Sequence, residues 1–257
     1  VNRFIFQRAF LIGRSKKYQV AIKFKTEDGG GRKIYKRGIY EEELTDYLLK
    51  NLKPTNGDVY LDIGANVGWY AVILSRQLDL KPRILAFEPD DMNYDCLQQN
   101  IADNLCQNVE AYKLAISDKD GTGQLNRYKN SNVGRHSMLP INEGDTVVVN
   151  TVTLDHFLAS KSISYTSVKF IKIDVEGYEL LAFRGALSLL RTVPLILAEY
   201  SPAYMRKGGL NPEDLLNLMM SNNYQAYRLV EGGLKPVTKC QLLKMSKNIN
   251  LFWLKVD

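Results

Sequence analysis

Cysteine is scarce in this chain of 257 residues: Cys96, Cys106 and Cys240 are an odd number and lie at no metal-ligand spacing. That argues against a disulfide framework or zinc module and for free thiols in a reducing compartment, so the expected location is cytoplasmic. Long apolar runs are missing too. Stretches such as Pro194-Leu-Ile-Leu-Ala198 are strand-length, far short of the ~20 residues that a membrane helix needs. There is no G-x-G-x-x-G turn, no aromatic RNA-binding strand motif and no block of basic residues. The 34 Lys and Arg against 28 Asp and Glu leave a net charge of +6 that is dispersed along the chain. A solvated basic surface explains that balance better than a nucleic-acid partner does. The chain opens on Val1 and not on Met, which suggests further sequence upstream.

With 45% hydrophobic residues, the length suits one large α/β domain with a single core. Residues 1–17 mix Arg3, Arg8, Arg14, Lys16 and Lys17 with large apolar groups. They read as a helix packed on the domain or on another copy of the chain, or as a peripheral contact with an anionic membrane or a protein. Tyr18–Phe24 and Lys33–Tyr40 read as a hairpin turning at Asp28-Gly-Gly-Gly31, and Glu41–Leu52 as an amphipathic helix. From Val59 onward strands and helices alternate, which calls for a parallel sheet. Residues 121–152 interrupt the alternation as an irregular polar insertion, up to Thr146-Val-Val-Val149. Beyond it come a strand over Val168–Ile173, a helix over Glu179–Leu190 and a strand over Leu195–Ala198. A helix then opens at Asn211-Pro212, and two strands, Tyr224–Leu229 and Asn250–Lys255, close the chain.

The most informative stretch is Asp62-Ile-Gly-Ala-Asn-Val-Gly68, running directly off the apolar strand Val59–Ile63. Gly64 and Gly68 let the main chain approach a ligand, and Asp62 and Asn66 add polar contacts. The carboxylate of Asp62 repels a pyrophosphate and attracts an ammonium. The next strand, Arg83–Phe87, ends in Glu88, where a ribose diol is gripped in such folds. Together these features point to S-adenosylmethionine. A nicotinamide-dependent oxidoreductase is the competing enzyme class, and a non-catalytic nucleotide-binding module the competing non-enzyme.

The chain resembles the FkbM-type branch of S-adenosylmethionine-dependent methyltransferases. The resemblance runs from Gly38-Ile-Tyr-Glu41 through Asp62–Gly68, Ala86-Phe-Glu-Pro89, Ala115-Ile-Ser-Asp118 with Gly121, and Ile171-Lys-Ile-Asp-Val-Glu-Gly177 followed by Glu179. It implies a class I Rossmann-like α/β fold: a mostly parallel seven-stranded sheet with helices on both faces and a final antiparallel strand. Residues 1–53 would be a hairpin-and-helix extension and residues 54–257 the methyltransferase domain. It also implies methyl transfer, usually to oxygen, on a small-molecule or glycan acceptor.

The expected cofactor contacts are Asp62, Gly64, Asn66, Gly68 and Glu88, with Ala115 and Ser117 beside the adenine. A sulfonium methyl is already activated, so the remaining chemical task is to accept the acceptor's proton. Asp174 leads for that role, Glu176 can share it, and His136, within the polar insertion beside Arg135 and Ser137, is the rival base. Glu179 reads as a helix-capping acid, and His156 as a residue at a helix start. Asp174 and Glu199 could share a hard cation, but two acids without a third oxygen ligand make a thin site, and no metal is assigned. The segment Ser201–Gly209 reads as a substrate lid or a connecting loop.

Overall fold

The computed structural model describes residues 9–128, 136–141 and 144–256. An antiparallel hairpin of β1 (Phe10–Ser15) and β2 (Val20–Lys25) is followed by α1 (Gly29–Arg37) and α2 (Glu42–Asn51). Then come β3 (Val59–Ile63), α3 (Trp69–Gln77), β4 (Arg83–Phe87), α4 (Asp91–Asp103) and β5 (Val109–Tyr112). Three further strands, β6 (Ala115–Ile116), β7 (Gly121–Asn126) and β8 (Thr146–Val152), make a small separate sheet. The remainder is α5 (Leu154–Ser160), β9 (Val168–Ile173), α6 (Glu179–Arg184), β10 (Leu195–Tyr200), α7 (Pro202–Lys207), α8 (Pro212–Ser221), β11 (Tyr224–Val230), β12 (Gly233–Pro236), α9 (Lys239–Leu243) and β13 (Ile249–Lys255).

The main sheet runs β12-β11-β13-β10-β9-β3-β4-β5. Strands β10, β9, β3, β4 and β5 are parallel, and β13 lies antiparallel between β10 and β11. The Rossmann-like α/β fold expected from the sequence is therefore present, with the closing antiparallel strand in place. The sheet has eight strands and not seven, because Gly233–Pro236 folds back on β11 as β12 after Gly232 turns with φ +92°. Alternate residues of β3 feed two cores: Leu61 and Ile63 on one face, Tyr60 on the other. Among the described residues no helix is long and apolar enough to cross a membrane.

Several local expectations are corrected. The hairpin forms one segment earlier, with its turn at residues 16–19, and Gly29–Gly31 opens a helix instead of a turn. Asp28 caps that helix by accepting from the Gly30 amide at 2.9 Å, and Gly31 lies flat on Phe24. A Cβ at Gly31 would fall 2.1 Å from the Phe24 ring, so tertiary packing overrides the poor helix propensity of three glycines. Residues 10–15 are a strand and not part of a surface helix, and residues 1–8, expected in the same helix, lie outside the described residues. The polar insertion is ordered where described: β7 pairs antiparallel with β8. Ser201–Gly209 is not a plain loop, since α7 occupies most of it. The helix begun at Glu179 stops at Arg184, because the chain at Gly185 lies against the Ser117 carbonyl, where a Cβ would sit 2.0 Å away.

The extension, residues 9–53 as described, shares one core with the rest of the chain. Tyr18, Ile22, Phe24, Ile34 and Leu48 pack in the cluster that holds Trp69, Val72, Leu97 and Phe252. Two side-chain amides, from α4 and the residue that caps its end, also close the free edge of β2. Asn100 accepts from Lys23 N at 2.7 Å and donates to Lys23 O at 2.9 Å, and Asn104 does the same with Ala21 at 3.0 and 2.8 Å.

Candidate functional site

In the sheet register Ile63 stands opposite Phe87 on one side and Ile173 on the other. The next residue of each strand, Gly64, Glu88 and Asp174, therefore emerges at one level on the carboxyl edge. Strand order reverses here, β3 leading outward to β4 and β9 to β10, and such a switch point leaves a crevice above the strand ends.

Two hollows meet in that crevice. The first is a narrow slot of about 50 Å³, lined by Glu88, Ala115, Ile116, His136, Met138 and Tyr178 among others. The second is a cleft of about 370 Å³ between the strand ends and the extension, lined by Tyr40, Glu41, Trp69, Tyr70, Lys172 and Glu199 among others. Gly64, Asn66, Asp174 and Glu176 line both. A molecule in the slot and another in the cleft would touch across these four residues.

The glycine loop is set by what lies beneath it. Asp62 is 2% exposed and accepts from the Ala71 amide at 3.1 Å, so it pins the first turn of α3 from below and lines neither hollow. Gly64 has φ +71°, and a Cβ there would lie 1.9 Å from the Asp174 carbonyl oxygen. Gly68 caps α3 at φ +90°. Glu88 is buried and accepts from Asn66 N at 2.8 Å and Asp90 N at 3.0 Å. The Asn93 side chain also bonds to this carboxyl, which leaves at most one oxygen lone pair for a ligand hydroxyl. Asn66 Oδ1 is buried with no hydrogen-bond partner among the described residues, an acceptor waiting for a donor. A cradle that only glycine fits, an orphaned amide oxygen and a strand-end carboxylate suit a nucleoside with an amino-acid tail.

The other expected residues are divided by the structure. Ala115 lines the slot, whereas Ser117 is buried behind it, 2.9 Å from the Tyr178 hydroxyl. His136 lines the slot and not the cleft, and its Nδ1 accepts from Tyr128 N at 3.2 Å. Burial lowers its pKa to about 4, so it is neutral near pH 7. Ser137 donates to the Glu176 carbonyl at 2.9 Å, steadying that loop, and Arg135 lies outside the described residues. Glu179 is fully buried and holds the β9–α6 loop by accepting from Val175 N at 3.1 Å and Gly177 N at 3.3 Å. His156 sits in the first turn of α5, as expected, paired with Asp120.

Asp174, Glu176 and Glu199 each bring one carboxylate oxygen within 4.8 Å of the other two. The third oxygen ligand that the sequence did not offer is thus supplied by Glu176, whose backbone takes φ +52°. Lys172 and Glu41 are among the cleft members that were missed. Lys172 is a buried lysine with Nζ 3.9 Å from Asp62 Oδ1, 3.7 Å from Asp174 Oδ2 and 5.3 Å from the Tyr70 ring centre. Burial opposes its charge, but Asp174 and Asp62 more than offset this and raise its pKa. The readable signal was a charge alternating into an apolar strand, with Lys169 exposed and Lys172 buried. Glu41 belonged to a recognised motif without an assigned role, and it accepts from the Tyr70 hydroxyl at 2.6 Å.

These carboxyls make stability depend on pH in an unusual direction. Burial raises Glu88 to about 7 and Glu179 to about 8, and burial together with the Asp174 charge raises Glu199. Each keeps its proton in the folded chain at a pH where the unfolded chain has lost it, so folding is favoured as pH falls from about 8 to about 6.5. His136 acts oppositely: its contribution is present above its ordinary 6.5 and is lost as pH falls towards about 4. The ligand-free protein is expected to be ~1–3 kcal/mol more stable near pH 6.5 than near pH 8, with His136 offsetting only part of the further gain as pH falls towards the ordinary carboxyl range. Thermal and urea unfolding across that range check this, and stability that rises with pH over the same interval contradicts it.

A family model described as the methyltransferase FkbM domain matches residues 62–229. Hexuronic acid methyltransferase AglP of Haloferax volcanii is 25% identical over 179 residues, which cover 70% of this chain and 67% of that protein. Methyltransferase sdnD of Sordaria araneosa is 29% identical over 192 residues, 72% of this chain and 65% of that protein. The match thus spans about two thirds of either relative's length. The crystal structure of an FkbM methyltransferase from Methylobacillus flagellatus KT aligns with a TM-score of 0.48 at 19% identity, over 79% of this chain and 45% of that one.

Proposed function

Since this chain belongs to the FkbM methyltransferase family, we propose that it transfers a methyl group from S-adenosylmethionine to a hydroxyl of a sugar, glycan or secondary metabolite. The observation that carries the reading is the meeting of slot and cleft at Gly64, Asn66, Asp174 and Glu176. When bound, the cofactor supplies an electrophilic methyl on a sulfonium. Glu88 would hold its ribose hydroxyls, Asn66 and the Gly64 loop its amino-acid end, and Ala115 its base.

The residues of this chain then do three things. The aromatic walls Tyr40, Trp69 and Tyr70 seat the acceptor and keep water from the junction. Asp174, on both hollows, accepts the hydroxyl proton as the bond to oxygen forms, with Glu176 and Glu199 beside it. Lys172 holds Asp174 in place from below. His136 is less suited to that proton, because it faces the slot and has a pKa of about 4. Buried thiols at Cys96 and Cys106 and an unpaired Cys240 fit a cytoplasmic setting.

Calorimetry tests the cofactor. S-adenosylmethionine and S-adenosylhomocysteine should bind and NAD should not, and Glu88→Ala should weaken binding by about 1–3 kcal/mol through loss of charged hydrogen bonds. Binding of NAD in place of both would reject the reading. Bound cofactor without turnover on any hydroxylated acceptor would favour a non-catalytic module.

A further inference from the structure

The outer wall of the cleft comes from residues that precede the family-matched segment 62–229. Asp28, Gly29, Gly30, Gly31 and Lys33 face Asp174 and Glu176 across it. We propose that this first turn of α1 selects the acceptor, that Gly30 keeps it open, and that it admits an uncharged or ammonium-bearing sugar and rejects a uronate. The inference rests on the cleft being the acceptor site, and it names the acceptor's chemistry.

The glycines of this turn differ in what they do. Gly31 is required by packing, because a Cβ there would strike the Phe24 ring at 2.1 Å. Gly30 carries no such requirement. A Cβ there would meet Tyr40 Cε2 at 3.4 Å and Asp28 Oδ1 at 3.5 Å, close to ordinary contact, and the backbone is in a helical conformation open to any residue. A side chain at position 30 would lie beside the Tyr40 ring, in the space of the cleft. The bare backbone at Gly30 therefore serves the volume of the cleft and not the fold.

Charge decides which sugars fit. A helix start commonly offers its amides to an anion, but here the Asp28 carboxylate already takes the Gly30 and Gly31 amides. Asp28, Glu41, Asp174, Glu176 and Glu199 line the cleft against two lysines. Of these lysines, Lys172 is held between Asp62 and Asp174, and Lys33 lies over the Tyr40 ring at the exposed rim. A ligand carboxylate brought into this space meets like charge at short range in a partly desolvated site. Hydroxyl and ammonium groups find acceptors there instead.

The test uses the full chain saturated with S-adenosylhomocysteine and titrated with glucosamine and with glucuronate, followed by saturation-transfer NMR. Glucosamine is expected to bind, and glucuronate to bind at least about tenfold more weakly. Gly30→Leu is expected to weaken glucosamine about tenfold or more, with cofactor-product affinity and thermal midpoint unchanged. Should that variant unfold early, Gly30→Ala takes its place, with a smaller loss in the same direction. Equal or tighter binding of glucuronate, binding of neither sugar, or glucosamine affinity untouched by a side chain at position 30 overturns the proposal. Failure of S-adenosylhomocysteine itself to bind overturns the cofactor reading first, so the two failures are distinguishable.

Discussion

Asp174→Asn should lower methyl transfer about a hundredfold or more while leaving cofactor affinity nearly unchanged, the loss expected when a general base is removed. Asparagine keeps the shape of the side chain and its place at the mouth of both hollows but cannot take a proton. The measurement is single-turnover transfer with calorimetric binding on the same preparation. Two neighbours set the alternatives. Glu199, partly protonated near neutral pH through burial and the Asp174 charge, is the other carboxyl at hand. If Asp174→Asn stays active and Glu199→Gln is dead, the proton goes to Glu199. If activity disappears with a chelator and returns with magnesium, the three carboxyls of Asp174, Glu176 and Glu199 act together on a cation and the base assignment is wrong.

Gly64→Ala should be the most damaging single-methyl change in the crevice. The residue sits at φ +71°, where an L side chain is strained, and its Cβ would lie 1.9 Å from the Asp174 carbonyl oxygen. That oxygen belongs to the main chain of the neighbouring strand end, so no rotamer change relieves the clash. Left-handed strain of about 1–2 kcal/mol and overpacking of about 1–3 kcal/mol add to about 2–5 kcal/mol. That is a large share of the 5–15 kcal/mol that typically holds a domain folded. Urea unfolding should show the loss, and S-adenosylhomocysteine should bind far more weakly, because relief of the clash spreads β3 from β9 under the ligand. A variant with wild-type midpoint and affinity would falsify the close-approach account.

The residues that build the crevice were legible because their chemistry is local. A glycine loop directly after an apolar strand, and acids ending the next strands, mark a carboxyl edge whatever the rest of the chain does, and Gly64, Glu88 and Asp174 emerge level there. The extension was not legible, because its structure depends on distant partners. Lys33–Tyr40 alternates well enough to pass for a strand, and nothing nearby in sequence reveals that Phe24 needs a bare backbone over its ring. The same holds for Lys172 and Ser117. One looks like a solvated charge and proves buried between two acids; the other looks like an adenine contact and proves tied to Tyr178 behind the slot. Strand β7, Gly-Thr-Gly-Gln-Leu-Asn, has little strand propensity of its own and is held by pairing with β8, twenty or more residues later.

The amides that close β2 bear on the order in which the chain is made. Lys23 meets Asn100 across 77 positions, and Ala21 meets Asn104 across 83. As the polypeptide leaves the ribosome from its amino end, the β1–β2 hairpin is complete long before α4 exists. Through that interval β2 shows bare backbone donors and acceptors along one side, the condition in which a strand recruits whatever extended chain is near. The interval between synthesis of β2 and synthesis of Asn104 is therefore the vulnerable period. Nascent chains stalled with β2 outside the ribosome and Asn100 not yet emerged should associate with one another, and chains stalled with Asn104 fully emerged should not.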